Sequence, residues 1–248
     1  GSAKATQELS RDISGIARDH SRTDLNIRMS EIVPHVTLES GKNPQHSIIW
    51  LHGLGADGED FVPIADELKL PVAVRYLFPD APMRPVTING GMVMRAWYDI
   101  VSPSIDAQQD AAGIRESQTL IEALIDQEVR RNIAPGNIFL AGFSQGGAVA
   151  LHTALRHPVQ LGGVLALSTY LPLTDRAAGE ALPETRGTPM FMAHGRSDPV
   201  IPRELGAGSR DVLLGLGYTV DWHEYAMQHS VCEEELRDIE VWLTHQIG

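Results

Sequence analysis

Residues 138–150 read Ile-Phe-Leu-Ala-Gly-Phe-Ser-Gln-Gly-Gly-Ala-Val-Ala. An apolar run stops at a single serine, and a Gly-Gly pair leads straight into small residues suited to a helix start. Gly142-Phe143-Ser144-Gln145-Gly146 fits G-x-S-x-G, the turn that lifts a serine hydroxyl off the tip of a strand in a strained backbone geometry. The flanking glycines answer a steric need, because strand and helix pass close together there and a Cβ would crowd the passage. Alone, the pentapeptide is a modest signal that a glycine-rich turn also explains. The strand before it and the helix after it make Ser144 a candidate nucleophile.

From residue 30 onward, strand-like apolar runs alternate with segments of helical period, which predicts βα units and a mainly parallel sheet flanked by helices. Strands are predicted at 36–39 (an edge), 47–51, 72–78, 138–143, 163–168, 189–194 and 219–225. Helices are predicted at 61–68, 108–132, 145–156, 203–216 and 233–246. Two stretches, 79–93 and 169–187, read as long irregular loops. Each follows the C-terminal end of a strand, where open α/β sheets build binding sites. No repeat or linker divides the chain, so 29–248 is expected to be one α/β domain with a sizeable core. Residues 1–28 are polar and begin with Gly-Ser, like the scar of a protease site. They are expected to be an expression-derived or flexible leader without function.

The formal net charge of −12 argues against a nucleic-acid partner, which needs clustered Lys and Arg, and against adsorption to anionic membranes. No apolar run approaches the length of a membrane span, so no stable membrane insertion is expected. The single cysteine, Cys232, excludes an internal disulfide and a Cys-rich metal site. It suits a reducing compartment, and a cytoplasmic location is expected.

A serine hydroxyl needs a histidine to take its proton and an acid to hold that histidine's tautomer. In the strand–turn–helix architecture the partners follow in the order serine, acid, histidine, each after a later strand. Asp198, in Ser197-Asp198-Pro199-Val200, follows the strand at 189–194, and His229, in Met227-Gln228-His229-Ser230, follows the strand at 219–225. Asp198 also suits a plain Asp-Pro turn; its place after the strand favours the catalytic reading. His52, His152, His157, His194, His223 and His245 each have an ordinary structural explanation. Attack on a carbonyl creates an oxyanion that needs donors already in place. The Gln145 N–H is one. The glycine-rich loop His52-Gly53-Leu54-Gly55 offers the Leu54 N–H as a second, and it lacks the Lys-Ser/Thr ending of a phosphate-binding loop.

Together, His52-Gly53-Leu54-Gly55, the segment around Ser144, Ser197-Asp198-Pro199-Val200 and Met227-Gln228-His229-Ser230 resemble the acyl-protein thioesterase and carboxylesterase family, also described as phospholipase/carboxylesterase. Arg95-Ala96-Trp97-Tyr98-Asp99 resembles a further family segment, and the similarity runs from about Met29 to the C-terminus. The resemblance implies an α/β-hydrolase fold and a Ser144–His229–Asp198 triad with Leu54 and Gln145 as oxyanion donors. It also implies hydrolysis of carboxylic esters or thioesters through an acyl-enzyme, without metal or cofactor. The expected partner is a small-molecule or acylated substrate, and a homodimer is compatible. Residues 86–94 are expected to form a small flap, and no insertion is long enough for a large lid domain. Ile88, Met92, Tyr170, Leu171 and Val200 are candidate groove residues, with Ile201 beside them. A serine peptidase or a non-catalytic small-molecule receptor on the same fold are the alternatives, because fold does not fix function.

Overall fold

The structure, a computed structural model, describes residues 32–102, 104 and 108–248, so the predicted leader at 1–28 lies outside the described residues. The central sheet begins with β1 (His35–Glu39), a half-exposed edge, and the more deeply buried β2 (His46–Leu51) and β3 (Val74–Pro79). A separate hairpin of β4 (Met83–Val86) and β5 (Met92–Arg95) interrupts the chain before the sheet resumes with β6 (Ile138–Phe143), β7 (Gly163–Leu167), β8 (Met190–Gly195) and β9 (Val220–Tyr225). The strand order is β1-β3-β2-β6-β7-β8-β9, with β1 antiparallel to β3 and every other pairing parallel. Ile48, Trp50, Phe139, Leu165 and Phe191 share one buried cluster with Trp242 and Leu243. The alternate set, Ile49, Leu51, Leu140, Val164 and Met192, is equally buried. Burial of both parities is what a parallel sheet covered on its two faces requires.

The helices are α1 (Ile64–Glu67), α2 (Ala111–Arg130), α3 (Gln145–Arg156), α4 (Thr174–Glu180), α5 (Arg203–Gly215) and α6 (Glu233–Ile247). Asp110 caps α2 by accepting the Gly113 N–H at 2.9 Å, which starts this helix three residues later than its periodicity predicts. In α3 every residue from Gln145 to Leu155 is buried, which accounts for its small and apolar composition. It ends at His157, ahead of Pro158, which cannot continue the ladder.

Three expectations need correcting. The helix predicted at 61–68 is a 3-10 turn at Gly58–Phe61 followed by the one-turn α1, with Pro63 at the break. The loop predicted at 79–93 contains β4 and the start of β5, whose exposed Met and Val residues lack the alternation that marks a half-buried strand. The loop predicted at 169–187 contains α4 and a 3-10 turn at Pro183–Thr185, both too short to show a period.

Chain order reverses between β2 and β6: from β2 the chain adds β3 on one side, then returns to place β6 on the other. Loops leaving two such neighbours diverge and leave a crevice between them. Leu51 pairs with Gly142 in this register, so the loop carrying Leu54 and the turn carrying Ser144 emerge side by side. Asp198 and His229 follow β8 and β9, which are also neighbours.

Candidate active site

Ser144 sits between β6 and α3 at φ 54° and ψ −119°, a left-handed conformation that costs a non-glycine residue about 1–3 kcal/mol. Packing holds it there. The Ser144 N–H donates to the Leu167 carbonyl at 2.9 Å, and Thr169 Oγ1 donates to the Ser144 carbonyl at 2.6 Å. A Cβ on Gly142 would overlap the Gly146 backbone, and one on Gly146 would overlap the carbonyl oxygens of Leu51 and His52. The spacing of glycines in the sequence is thus the imprint of two backbones in contact.

His229 Nδ1 lies 2.7 Å from Asp198 Oδ2, and His229 Nε2 lies 3.0 Å from Ser144 Oγ. With a carboxylate oxygen on its Nδ1 side, the imidazole carries its proton there and presents the Nε2 lone pair to the serine hydroxyl. The other Asp198 oxygen, Oδ1, accepts the N–H groups of Val200 and Ile201 at 2.8 and 2.9 Å. The carboxylate is fully buried and turned in one direction only. The two loops are clamped: Ser197 N–H donates to the Met227 carbonyl at 3.1 Å, and a Cβ on Gly195 would strike the Gln228 carbonyl. The ring of Phe143 packs on His229 with centroids 4.7 Å apart.

His194 stands beneath this pair, with Nε2 at 2.9 Å from the Ile201 carbonyl and 3.5 Å from Asp198 Oδ2. Burial lowers its pKa, which the Ile201 carbonyl and the Asp198 carboxylate only partly oppose. It therefore braces the Asp198 turn as a neutral donor.

Leu54 and Gln145, the expected oxyanion donors, line the same cleft as Ser144. Two side chains fix them. His52 Nε2 accepts the Ala81 N–H at 3.0 Å, so its proton resides on Nδ1 and is donated to the Gly53 carbonyl at 2.6 Å. Burial lowers the His52 pKa and keeps this neutral tautomer. From sequence, His52 has only an ordinary structural explanation; the structure adds the bond to Ala81, 29 residues away. Gln145 spends its side chain on the segment after β5: Oε1 accepts the Trp97 N–H at 2.8 Å and Nε2 donates to the Tyr98 carbonyl at 2.7 Å. Trp97 Nε1 in turn donates to the His52 carbonyl at 2.9 Å. Trp97 and Tyr98 thus tie the two halves of the site together, a role that their sequence motif alone did not disclose.

Ser144 and His229 open onto a cleft of about 690 Å³ with largely apolar walls. Of the candidate groove residues, Ile88, Tyr170 and Val200 line it, as does Ile201. Met92 and Leu171 do not. Met92 pairs with Val86 in the hairpin and is 63% exposed, whereas Leu171 is buried with its N–H bound to Ser209 Oγ. Tyr98, Ile100, Phe61 and Val231 also line the cleft and were not singled out as groove residues from sequence. Among the described residues no cluster of three or more His, Cys, Asp or Glu side chains is placed to hold a metal ion, and no helix is long and apolar enough to cross a membrane.

Residues 34–247 match the phospholipase/carboxylesterase family. The chain is similar to acyl-protein thioesterase 1 of Yarrowia lipolytica, 39% identical over 208 residues that cover 81% of this chain and 92% of that one. It is similar to carboxylesterase SOBER1 of Arabidopsis thaliana, 35% identical over 205 residues, 81% of this chain and 90% of the relative. A crystal structure of SOBER1 superposes with a TM-score of 0.78 over 82% of this chain and 99% of that chain, at 34% identity. The crystal structure of Zea mays acyl-protein thioesterase 2 gives 0.77 over 87% of this chain and 100% of that chain, at 28% identity. The chain belongs to the phospholipase/carboxylesterase family and is an ester hydrolase on the α/β-hydrolase fold.

Proposed function

We propose that this enzyme hydrolyses carboxylic esters and thioesters through a covalent acyl-enzyme on Ser144. The observation that carries the reading is the unbroken chain from Asp198 through His229 to Ser144 Oγ, at 2.7 and 3.0 Å, opening on an apolar cleft. His229 Nε2 takes the hydroxyl proton as Oγ attacks the acyl carbon, and the negative charge on the former carbonyl oxygen is met by the Leu54 and Gln145 N–H groups. Collapse of this intermediate breaks the bond to the leaving oxygen or sulfur, which receives the proton from His229. Water then repeats the sequence: His229 deprotonates it, it attacks the acyl carbon, and the proton returns to Ser144 as the carboxylic acid departs. Asp198 holds the Nδ1–H tautomer and offsets the charge of the transient imidazolium.

The relatives' names point to acyl-protein thioesters and to carboxylic esters, and the open cleft supports soluble or surface-presented acyl chains as substrates. We place the reaction in the cytoplasm, where the free thiol of Cys232 is stable. Ser144→Ala is expected to lower kcat/KM for p-nitrophenyl butanoate and for a butanoyl thioester by about 10⁴-fold or more. It should also abolish labelling by a fluorophosphonate, with an unchanged circular dichroism spectrum. Near-normal turnover in this variant would refute the assignment, and a wild-type chain that does not label would favour a non-catalytic receptor.

A further inference from the structure

The floor of the cleft is closed by two tyrosines. Tyr98 and Tyr170 both line the 690 Å³ cleft, yet Tyr98 is 1% exposed and Tyr170 5%, so they belong to its depth and not to its rim. Their hydroxyls lie 2.7 Å apart, 72 residues apart in sequence. The same two side chains, with Ile100 and Ser102, also bound a second cavity of only about 10 Å³, whose remaining walls include Asp99, Val101 and Gln108. The hydrogen-bonded tyrosines are therefore shared walls of the reactive cleft and of this small neighbouring space.

We propose that the Tyr98–Tyr170 pair is the stop that sets how long an acyl chain the cleft accepts. The inference rests on the esterase reading above and names its specificity determinant. Both rings stand at fixed distances from the nucleophile, because each is carried by a segment bonded to the serine turn. The Tyr98 carbonyl accepts from Gln145 Nε2, and Thr169, next to Tyr170, donates to the Ser144 carbonyl. The backbone beyond Tyr170 is held in turn by Ser209 Oγ on the Leu171 N–H at 2.8 Å. His229 has to reach the leaving oxygen or sulfur, which assigns its side of the cleft, with Phe143 and Ser230, to the leaving group. The acyl chain is then assigned the other direction, along Ile100 toward the tyrosines, all three of which line the cleft.

A chain whose terminal methyl reaches the pair meets two buried hydroxyls that satisfy each other. Passing between them breaks their bond, and a methyl group returns no hydrogen bond in exchange. Burial pushes Tyr170 up to about 12 and raises Tyr98 well above the ordinary phenol value, so both are phenols at neutral pH. A longer chain is turned away by this loss and by the ring volume, while a chain that stops short is unaffected.

The test is the ratio of kcat/KM for p-nitrophenyl dodecanoate to that for p-nitrophenyl butanoate, in wild type, Tyr170→Leu and Tyr170→Phe. Taking the ratio within one preparation cancels any loss of folded protein. Tyr170→Leu is expected to raise it about tenfold or more, and Tyr170→Phe, which keeps the ring and removes the bond, by about two- to threefold. A ratio that stays at the wild-type value in Tyr170→Leu overturns the inference. A crystal structure of the wild-type adduct with a dodecyl fluorophosphonate gives a reading independent of the variants. Alkyl density ending at Tyr98 and Tyr170 supports the stop, and density running toward Phe61 and Val231 overturns it. Wild-type protein that neither labels nor turns over ester removes the catalytic reading and this inference with it. Active wild type with an unmoved ratio removes this inference alone.

Discussion

Asp198→Asn is nearly isosteric, and the structure dictates which way the new amide must face. Oδ1 receives two backbone donors, the N–H groups of Val200 and Ile201, at 2.8 and 2.9 Å. An amide turned with its NH₂ toward them would set donor against donor in a fully buried position, at about 1–3 kcal/mol for each unsatisfied group. The amide oxygen therefore takes the Oδ1 position and the NH₂ faces His229 Nδ1. A ring nitrogen facing an NH₂ must accept, so the imidazole proton moves to Nε2 and points at Ser144 Oγ, 3.0 Å away. The base is then in the wrong tautomer for its proton transfer. The variant should fold normally and lose about 10⁴-fold in kcat, equivalent to about 5 kcal/mol of transition-state stabilisation. The assay is p-nitrophenyl butanoate turnover at neutral pH beside thermal unfolding of the same preparation. A loss smaller than about tenfold in a folded variant would refute the tautomer argument and with it the role given to Asp198.

Two further outcomes follow from the packing. Gly146→Ala places a Cβ against the carbonyl oxygens of Leu51 and His52, which are backbone and cannot turn aside. It should cost about 3 kcal/mol or more in urea unfolding and slow fluorophosphonate labelling, and full stability with full labelling would show that the turn has slack. Glu235, buried in the first turn of α6, has its pKa raised to about 8, chiefly by burial, with one weak bond from the Cys232 N–H opposing and Asp238 adding. An acid whose folded pKa lies above its unfolded value contributes stability that is complete below the unfolded pKa and is lost as pH rises through the folded one. Stability should accordingly fall between about pH 5 and 8, by up to about 1.4 kcal/mol per unit. Glu235→Gln should flatten that slope, so that the variant gains on wild type as pH rises. A wild-type-to-variant gap that does not change with pH between 5 and 8 would contradict it.

Most of the sheet was legible because its inner strands β2, β6, β7 and β8 are buried on both faces. A run such as Ile48–Leu51 has to be apolar throughout, because all four of its side chains are buried. The turn at Ser144 was legible for a comparable reason: two backbones in contact admit only glycine at Gly142 and Gly146. The β4–β5 hairpin was not, because Met83, Met92 and Val93 are exposed and Pro85 breaks the pattern of a strand. Helix α4 has only seven residues and begins after Leu173 in a left-handed conformation, so it presents neither a period nor a capping side chain. In the groove, chemical character misled. Met92 and Leu171 are as apolar as Ile88 and Val200, and only the course of the backbone separates those that reach the cleft from those that do not.

What the sequence determined by itself is the set of local constraints: which runs must be buried, where a tight turn must lie, and which loops follow which strands. These are encoded by neighbours within a few positions, where sterics and hydrophobic period act directly. Tertiary structure alone decided that His229 meets Ser144 across 85 residues and Asp198 across 31, since that depends on β8 and β9 being neighbours and on loops locked at Gly195. It likewise decided that Gln145 spends its side chain on Trp97 and Tyr98, and that Tyr98 meets Tyr170. The contacts of Gln145 with Trp97 and Tyr98, and of Tyr98 with Tyr170, carry no local signature, because each partner satisfies its own segment's rules equally well without the other.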